Sequence, residues 1–189
     1  MKKKQPLRIL FIGNSHTYFN DMPLMVAERF REEGYLCEVA MIAHGGWYLR
    51  QHVEEPDVRF NILYGHYDYV VLQEYSHPFG SEETYFEAVR ALNQWIATAG
   101  SRPVIYMTWA RKGEEPMQER MTLASREIAK EIGALLAPVG ENWWTYGRSH
   151  PEIELYAEDG SHASERGSDF AAKYIWDTIR TDIDRRNRQ

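Results

Sequence analysis

Short apolar segments without polar alternation constrain the fold of this chain more than any other feature of its sequence. Residues 8–12 read Arg-Ile-Leu-Phe-Ile and end at Gly13, and residues 69–72 read Tyr-Val-Val-Leu. A strand that is apolar on both faces is typical of a parallel sheet that helices cover on both sides. The chain is therefore predicted to be an α/β protein.

Segments with helical periodicity separate the predicted strands. Further strands are predicted over Cys37 to Ile42, Tyr67 to Gln73 and Pro103 to Thr108, with a short fifth strand over Pro138 to Asn142. Helices are predicted from an N-cap at Asp21 to Glu33, from Glu82 to Ala99, from Pro116 to Leu136, and from Ser164 onward.

This alternation predicts a single domain over residues 1–189. Its expected architecture is a three-layer α/β/α sandwich with a mostly parallel, flavodoxin-like sheet of about five strands. Ligands of such sheets bind at the carboxyl ends of the strands. Functional residues are therefore expected in the loops after Ile12, Ile42, Gln73 and Thr108.

Composition argues against several classes of partner. The net charge is -6, so a nucleic-acid partner is not expected. No apolar run approaches the roughly 18–20 residues of a membrane span. The apolar stretch after the lysines of residues 2–4 is too short for a signal peptide, so a cytoplasmic protein is expected, although a chain trimmed of its leader would read the same. Cys37 is the only cysteine and is expected to be a buried, inert thiol.

The first of these loops carries a serine directly after a strand. It reads Gly13-Asn14-Ser15-His16-Thr17 and precedes a helix. A serine at this position would face the crevice, and helix N-terminal amides beside it can stabilise an oxyanion. The alternative is that Ser15 only caps a turn or helix. His16 is expected to be an exposed loop histidine, with contact to a substrate as the alternative.

A histidine and a carboxylate stand together just before the last predicted helix, in the segment Asp159-Gly160-Ser161-His162. A serine hydroxyl needs a base to become an effective nucleophile, and histidine is the usual base. A carboxylate three residues earlier can fold back and orient the imidazole. The alternative is a solvated turn with a chance histidine.

Together these segments resemble the SGNH (GDSL-like) hydrolase superfamily. Gly13-Asn14-Ser15-x-Thr17 resembles the first block of that family, which usually reads Gly-Asp-Ser and contains the nucleophile, and Asp159-x-x-His162 matches the last block. The resemblance extends over nearly the whole chain, and Leu72-Gln73-Glu74 with Thr108-Trp109 are most similar to an uncharacterised bacterial branch. It implies a Ser15–His162–Asp159 triad and ester hydrolysis without a cofactor.

The resemblance also implies an oxyanion hole. The family builds it from the amide of the serine, a glycine amide after the second strand and an Asn side chain after the third. Ser15 and Gly46 match the first two positions, but the third block reads Gln73-Glu74-Tyr75-Ser76-His77 and contains no Asn. The Gln73 amide is the expected substitute donor, with Ser76 and His77 as alternatives.

The interpretation that best fits the sequence is a serine esterase or deacylase that acts on a small acyl ester, with acetyl as the first guess and a carbohydrate as one possible alcohol. The histidines show no HxxxH or HExxH spacing, so no metal is expected. The alternatives are a non-catalytic module that binds a sugar or phosphate, and a scaffold with a vestigial triad. The sequence does not indicate an oligomeric state.

Overall fold

Five strands form one sheet in which all neighbours run parallel. The structure, a computed structural model, describes residues 5–188. The strands are β1 (Leu7–Gly13), β2 (Cys37–Ala43), β3 (Tyr69–Leu72), β4 (Arg102–Tyr106) and β5 (Leu135–Ala137). They lie in the order β2-β1-β3-β4-β5.

Helices cover both faces of the sheet. They are α1 (Ser15–Tyr18), α2 (Met22–Glu32), α3 (Leu49–Val53), α4 (Pro56–Tyr64), α5 (Glu82–Ala99), α6 (Glu115–Ile132), α7 (Val139–Ser149) and α8 (Glu165–Asn187), with a 3-10 turn at Phe19–Asp21. One apolar core contains residues of α2, α7 and α8, and the other contains residues of α3, α4, α5 and α6.

The strands contribute alternate residues to these two cores. In β1, Ile9 and Phe11 face the core that includes α2 and α8, whereas Leu10 and Ile12 face the opposite core. All four are fully buried. Because both faces of the strand are covered, the sequence shows no polar alternation, and the predicted three-layer α/β/α architecture is confirmed.

The predicted boundaries of the helix from Pro116 to Leu136, and of the strand over Pro138 to Asn142 that follows it, are wrong. Helix α6 ends at Ile132 because Gly133 adopts a left-handed φ of 67° and donates its N–H to the carbonyl of Ala129. The next residues, predicted as helix, form β5, and Pro138 to Asn142, predicted as a strand, lead into α7. A Cβ on Gly140 would lie 1.9 Å from the Thr108 carbonyl oxygen, so glycine allows α7 to pack against the end of β4.

Other local elements also differ from the sequence prediction. The prediction did not include α3 and α4, although Pro56 opens α4 and its buried residues Val58 and Ile62 are spaced four apart. Asp21 does not cap α2 through its side chain. It adopts a φ of 54°, and the helix begins at Met22.

The sheet order determines where the loops meet. Strand β1 lies between β2 and β3, so the loops that follow these three strands emerge side by side at one edge. Such a switch point is the usual ligand site of an open α/β sheet. Within residues 5–188, no helix is both long enough and apolar enough to cross a membrane.

A buried carboxylate on the last helix bonds to residues at the other end of the strands, where β3 and β4 begin. Asp182 of α8 is 4% exposed and accepts a hydrogen bond of 2.9 Å from the Tyr69 hydroxyl. Its other oxygen lies 3.2 Å from the Arg102 guanidinium. Removing the carboxylate leaves both partners without their acceptor.

We therefore expect Asp182→Ala to lower the free energy of unfolding by roughly 2 kcal/mol, the usual scale for a hydrogen bond to a charged group. Urea denaturation followed by circular dichroism measures this change. Asp184→Ala is the matched control, because the side chain of Asp184 is 42% exposed in its ion pair with Arg180 and such pairs contribute little. Equal losses of unfolding free energy in Asp182→Ala and Asp184→Ala would contradict a stabilising role for the contacts of Asp182.

Candidate active site

Ser15 is the first residue of α1, directly beyond the end of β1. Asn14 forms the N-cap of this helix, and its side-chain oxygen accepts the His16 N–H at 3.0 Å. The Asn14 amide group also donates to the Trp47 carbonyl at 3.0 Å. Among the described residues, none accepts the N–H of Ser15. Asn14 therefore orders the loop and leaves an amide donor beside the serine hydroxyl.

A buried glutamine fixes the position of this loop. The side-chain oxygen of Gln73 accepts the Asn14 N–H at 2.8 Å and the Thr17 hydroxyl at 2.9 Å. A Cβ on Gly13 would lie 2.5 Å from that same oxygen, so the approach requires glycine. On the other side, His52 donates from Nε2 to the Gly13 carbonyl at 2.8 Å.

The segment Asp159–His162 folds back as a compact turn. One oxygen of Asp159 accepts the backbone N–H groups of Ser161 and His162, each at 2.9 Å. The other lies 2.5 Å from His162 Nδ1, and His162 Nε2 lies 2.8 Å from the Ser15 hydroxyl oxygen. If the carboxylate accepts the Nδ1 proton, Nε2 is free to accept the proton of Ser15. These three side chains therefore form one continuous hydrogen-bonded chain.

The carboxylate of this chain is stabilised in its ionised form. Burial alone would raise the pKa of Asp159, but its hydrogen bonds from the His162 side chain and from the Ser161 and His162 amides outweigh that effect and lower the pKa below its ordinary value. The group is therefore negatively charged at neutral pH.

His162 lies between two rings. Phe19 stacks on one face with ring centroids 4.0 Å apart, and His16 lies on the other side at 5.1 Å. His16, expected to be exposed, is only 4% exposed. Burial, with the nearby His77 and His162 as lesser causes, lowers the pKa of His16 to about 3. His16 is therefore a neutral ring packed against His162.

Residues around the start of α2 connect the serine segment directly to the histidine segment. Asn20 donates from its side chain to the Ala163 carbonyl at 3.1 Å and to the Ser168 hydroxyl at 2.9 Å. The Ser168 hydroxyl in turn donates to the Phe19 carbonyl at 3.2 Å. These contacts hold the serine segment and the histidine segment in a fixed relative position.

The loop after β3 supports the histidine turn from another side. His77 Nε2 lies 2.9 Å from the Trp109 carbonyl oxygen, and its Nδ1 lies 2.6 Å from the Ser161 hydroxyl. Because a carbonyl only accepts, Nε2 carries the proton and Nδ1 accepts from Ser161. Trp109 also donates its indole N–H to the Ser161 carbonyl at 2.9 Å.

These contacts correct the expectation for Gln73 as an oxyanion donor. Its side chain is fully buried, its oxygen is bonded to the serine loop, and its amide nitrogen lies 2.5 Å from the Glu74 carbonyl oxygen. Both nitrogens of the alternative donor His77 are also bonded. Ser76 is different, because its buried hydroxyl has no partner in the part of the chain that the structure describes.

Gly46 lies in the exposed turn after β2 and adopts a φ of 75°, which favours glycine. No described residue accepts its N–H.

In residues 5–188, no three His, Cys, Asp or Glu side chains are grouped so that they could hold a metal ion. Cys37 is buried, and burial raises the pKa of its thiol to about 11.

Sequence reasoning did not identify the supporting residues Asn20, His52 and His77 in these roles. Each acts through a contact with a segment that is distant along the chain, and no local pattern marks such a contact. Gln73 was identified by its place after a strand, which is correct, but the sequence did not indicate which way its amide group points.

Comparison with known proteins places the fold and the family. No protein-family model and no curated protein matches the sequence. Among solved structures, a provisionally assigned SGNH hydrolase from Slackia heliotrinireducens is 34% identical, with a TM-score of 0.81, and the match covers 93% of this chain and all of the other.

Two more distant structures share the fold. An acetyl xylan esterase from Geobacillus stearothermophilus is 17% identical with a TM-score of 0.70, over 95% of this chain and 97% of its own. The psychrotrophic esterase EstA from Pseudoalteromonas sp. is 12% identical with a TM-score of 0.70, over 94% and 99% of the two chains. The identity and coverage of the Slackia protein show that the chain belongs to the SGNH hydrolases.

Proposed function

We propose that this chain is a serine esterase that removes a small acyl group, with Ser15 as nucleophile, His162 as general base and acid, and Asp159 as the carboxylate that orients the histidine. The observation that carries the proposal is the continuous hydrogen-bonded chain, 2.5 Å from Asp159 to His162 and 2.8 Å from His162 to Ser15. This is the geometry that makes a serine hydroxyl nucleophilic.

The reaction proceeds in two steps. His162 takes the proton of Ser15 as the serine oxygen attacks the ester carbonyl, and the imidazolium then gives that proton to the leaving alcohol. Water attacks the acyl-enzyme in the second step, with His162 again acting as base, and releases the acid. The negative charge of Asp159 stabilises the imidazolium in both steps.

Two backbone amides are suited to stabilise the oxyanion. The N–H of Ser15 begins a helix, and the N–H of Gly46 lies in the exposed turn after β2, each without an acceptor among the described residues. We assign Gln73 the role of a brace for the serine loop rather than that of the third donor. Such donors stabilise charge that develops only in the transition state.

A small acyl group fits the surroundings of the serine. Ser15 is 8% exposed, and the rings of Phe19 and His16 pack on both sides of the base beside it. The acetyl xylan esterase among the structural neighbours makes acetyl esters the first substrates to test.

Ser15→Ala should abolish hydrolysis of p-nitrophenyl acetate, with a fall in kcat/KM of roughly 10³-fold or more, because no other group replaces the nucleophile. Circular dichroism and urea denaturation establish that the variant is folded. Ser149→Ala is the control, because its hydroxyl bonds only to the Thr145 carbonyl on α7. A folded Ser15→Ala variant with the wild-type rate would refute the mechanism.

Asp159→Asn should lower kcat by roughly 10²–10⁴-fold, because an amide of the same shape does not stabilise the imidazolium. The assay is the same ester hydrolysis at saturating substrate. Asp169→Asn is the matched control, since Asp169 pairs with Arg29 on the surface. If Asp159→Asn turned over at the wild-type rate, the carboxylate would have no part in the reaction.

The brace role of Gln73 makes a separate prediction. Gln73→Ala removes the acceptor of Asn14 and Thr17, so it should lower both kcat and the free energy of unfolding, the latter by about 2 kcal/mol. Thr17→Val, which removes one of these bonds with little change in shape, should show a smaller loss of both. If Gln73→Ala kept full stability while kcat fell about 10²-fold, Gln73 would instead be a direct oxyanion donor.

A further inference from the structure

A cavity lies between the start of α3 and the segment that runs from the loop after β3 into α5. It has a volume of about 220 Å³ and is bounded by Tyr48, Arg50, Glu74, Ser81 and Thr84, among others. Liquid water occupies about 30 Å³ per molecule, so the cavity holds roughly seven waters or one six-membered ring with its substituents.

Two walls of the cavity are linked to the serine loop. Glu74 follows Gln73, which accepts the Asn14 N–H, and Tyr48 follows Trp47, whose carbonyl accepts the Asn14 side chain. Consecutive Cα atoms are about 3.8 Å apart, so these walls lie on the order of 10 Å from Ser15. The residues that hold the serine loop are therefore the direct neighbours of two residues that line the cavity.

Glu74 is an unusual residue for this position because it is only 7% exposed. Its carboxylate accepts the Leu49 N–H at 3.3 Å and the Tyr75 N–H at 2.7 Å. A carboxylate can accept about four hydrogen bonds. No lysine or arginine of the described chain forms an ion pair with it, and burial raises its pKa to about 7.

Arg50 faces the same cavity. Its guanidinium lies over the Tyr48 ring, 5.6 Å from the centroid, and makes no ion pair within residues 5–188. The Glu74 carboxylate, which can accept further hydrogen bonds, and the Arg50 guanidinium, which can donate them, thus face the same cavity. Ser81, whose hydroxyl oxygen accepts the Thr84 N–H at 3.4 Å, adds a further O–H donor.

The arrangement selects among ligand classes. The Arg50 guanidinium supplies only N–H donors and the Glu74 carboxylate supplies acceptors, so a ligand that uses both needs a donor and an acceptor of its own. A neutral hydroxyl group satisfies both, because it donates to the carboxylate and accepts from the guanidinium. The Tyr48 ring, which lines the cavity, supplies an apolar surface for the C–H face of a ring.

We propose that this cavity is a binding subsite for a neutral ring bearing several hydroxyl groups, such as a pyranose, which forms the alcohol part of the ester substrate. Glu74 and Arg50 bind its hydroxyl groups, and Tyr48 packs against its face. The role of the ring as the alcohol part of a substrate rests on the proposed esterase function. Binding of the ring alone does not depend on that function.

Binding of methyl xylopyranoside, a sugar without an ester, tests the subsite directly. Titration of the purified protein followed by NMR gives Kd, and cyclohexanol serves as the ring without the hydroxyl pattern. We expect saturable binding of the sugar but not of cyclohexanol. Glu74→Gln and Arg50→Gln should each weaken sugar binding about tenfold, the loss of one hydrogen bond to a charged group.

Control variants and a second assay complete the test. Glu54→Gln and Arg59→Gln change exposed residues outside the cavity and should leave Kd unchanged. Because Arg50 is itself exposed, Arg50→Gln keeps the test valid even if Glu74→Gln fails to fold. No sugar binding by the wild type, or equal binding by wild type and Arg50→Gln, would overturn the subsite.

Hydrolysis of an acetylated methyl xylopyranoside, relative to cyclohexyl acetate, then measures the link to catalysis. We expect the ratio of the two kcat/KM values to favour the sugar ester and to fall about tenfold in Arg50→Gln. If Ser15 proves inactive on all esters while the sugar binds, the esterase proposal fails and the subsite stands. If the esters are hydrolysed without any sugar binding, only the subsite fails.

Discussion

The proposed chemistry of this protein depends on one hydrogen bond, 2.8 Å long, between residues 147 positions apart in the chain. Neither Ser15 nor His162 can hold that distance alone, because Ser15 begins the one-turn helix α1 and His162 lies in the loop before α8. The parallel sheet makes the contact possible by ending β1 at the edge where the last helix begins. The Asn20 and Ser168 contacts between the two segments then secure it. A displacement of about 1 Å at such a pair is enough to slow catalysis strongly.

The loop after β3 supports both halves of the proposed site. Gln73 bonds to the serine loop, and His77 bonds to the histidine turn through Ser161. This is the segment in which the sequence departs from the usual third block of the SGNH hydrolases. Here the side chains of Gln73 and His77 are bonded to other protein groups, and satisfied buried networks of this kind hold loops rigid.

Hydrogen bonding and burial decide which groups around His162 carry charge. Asp159 is held ionised by the three hydrogen bonds it accepts, whereas His16 is held neutral because burial disfavours its charged form. A second positive charge beside His162 would disfavour the imidazolium that the proposed mechanism forms. A neutral ring at this position packs against the base without opposing its protonation.

Several features could be read from the sequence because their signals are local. The apolar strands predict a sheet covered on both faces, and the spacing of Asp159 and His162 predicts that the carboxylate folds back on the imidazole. Other features were decided only by the tertiary structure. The start of α7 depends on the contact of Gly140 with Met107, just beyond the end of β4, and the role of Gln73 depends on a bond to a residue 59 positions away. The cavity at Glu74 likewise exists only where the start of α3 meets the segment that runs from the loop after β3 into α5. Periodicity records which face of an element is buried, but the direction of a buried polar side chain depends on partners that only folding brings within hydrogen-bond distance.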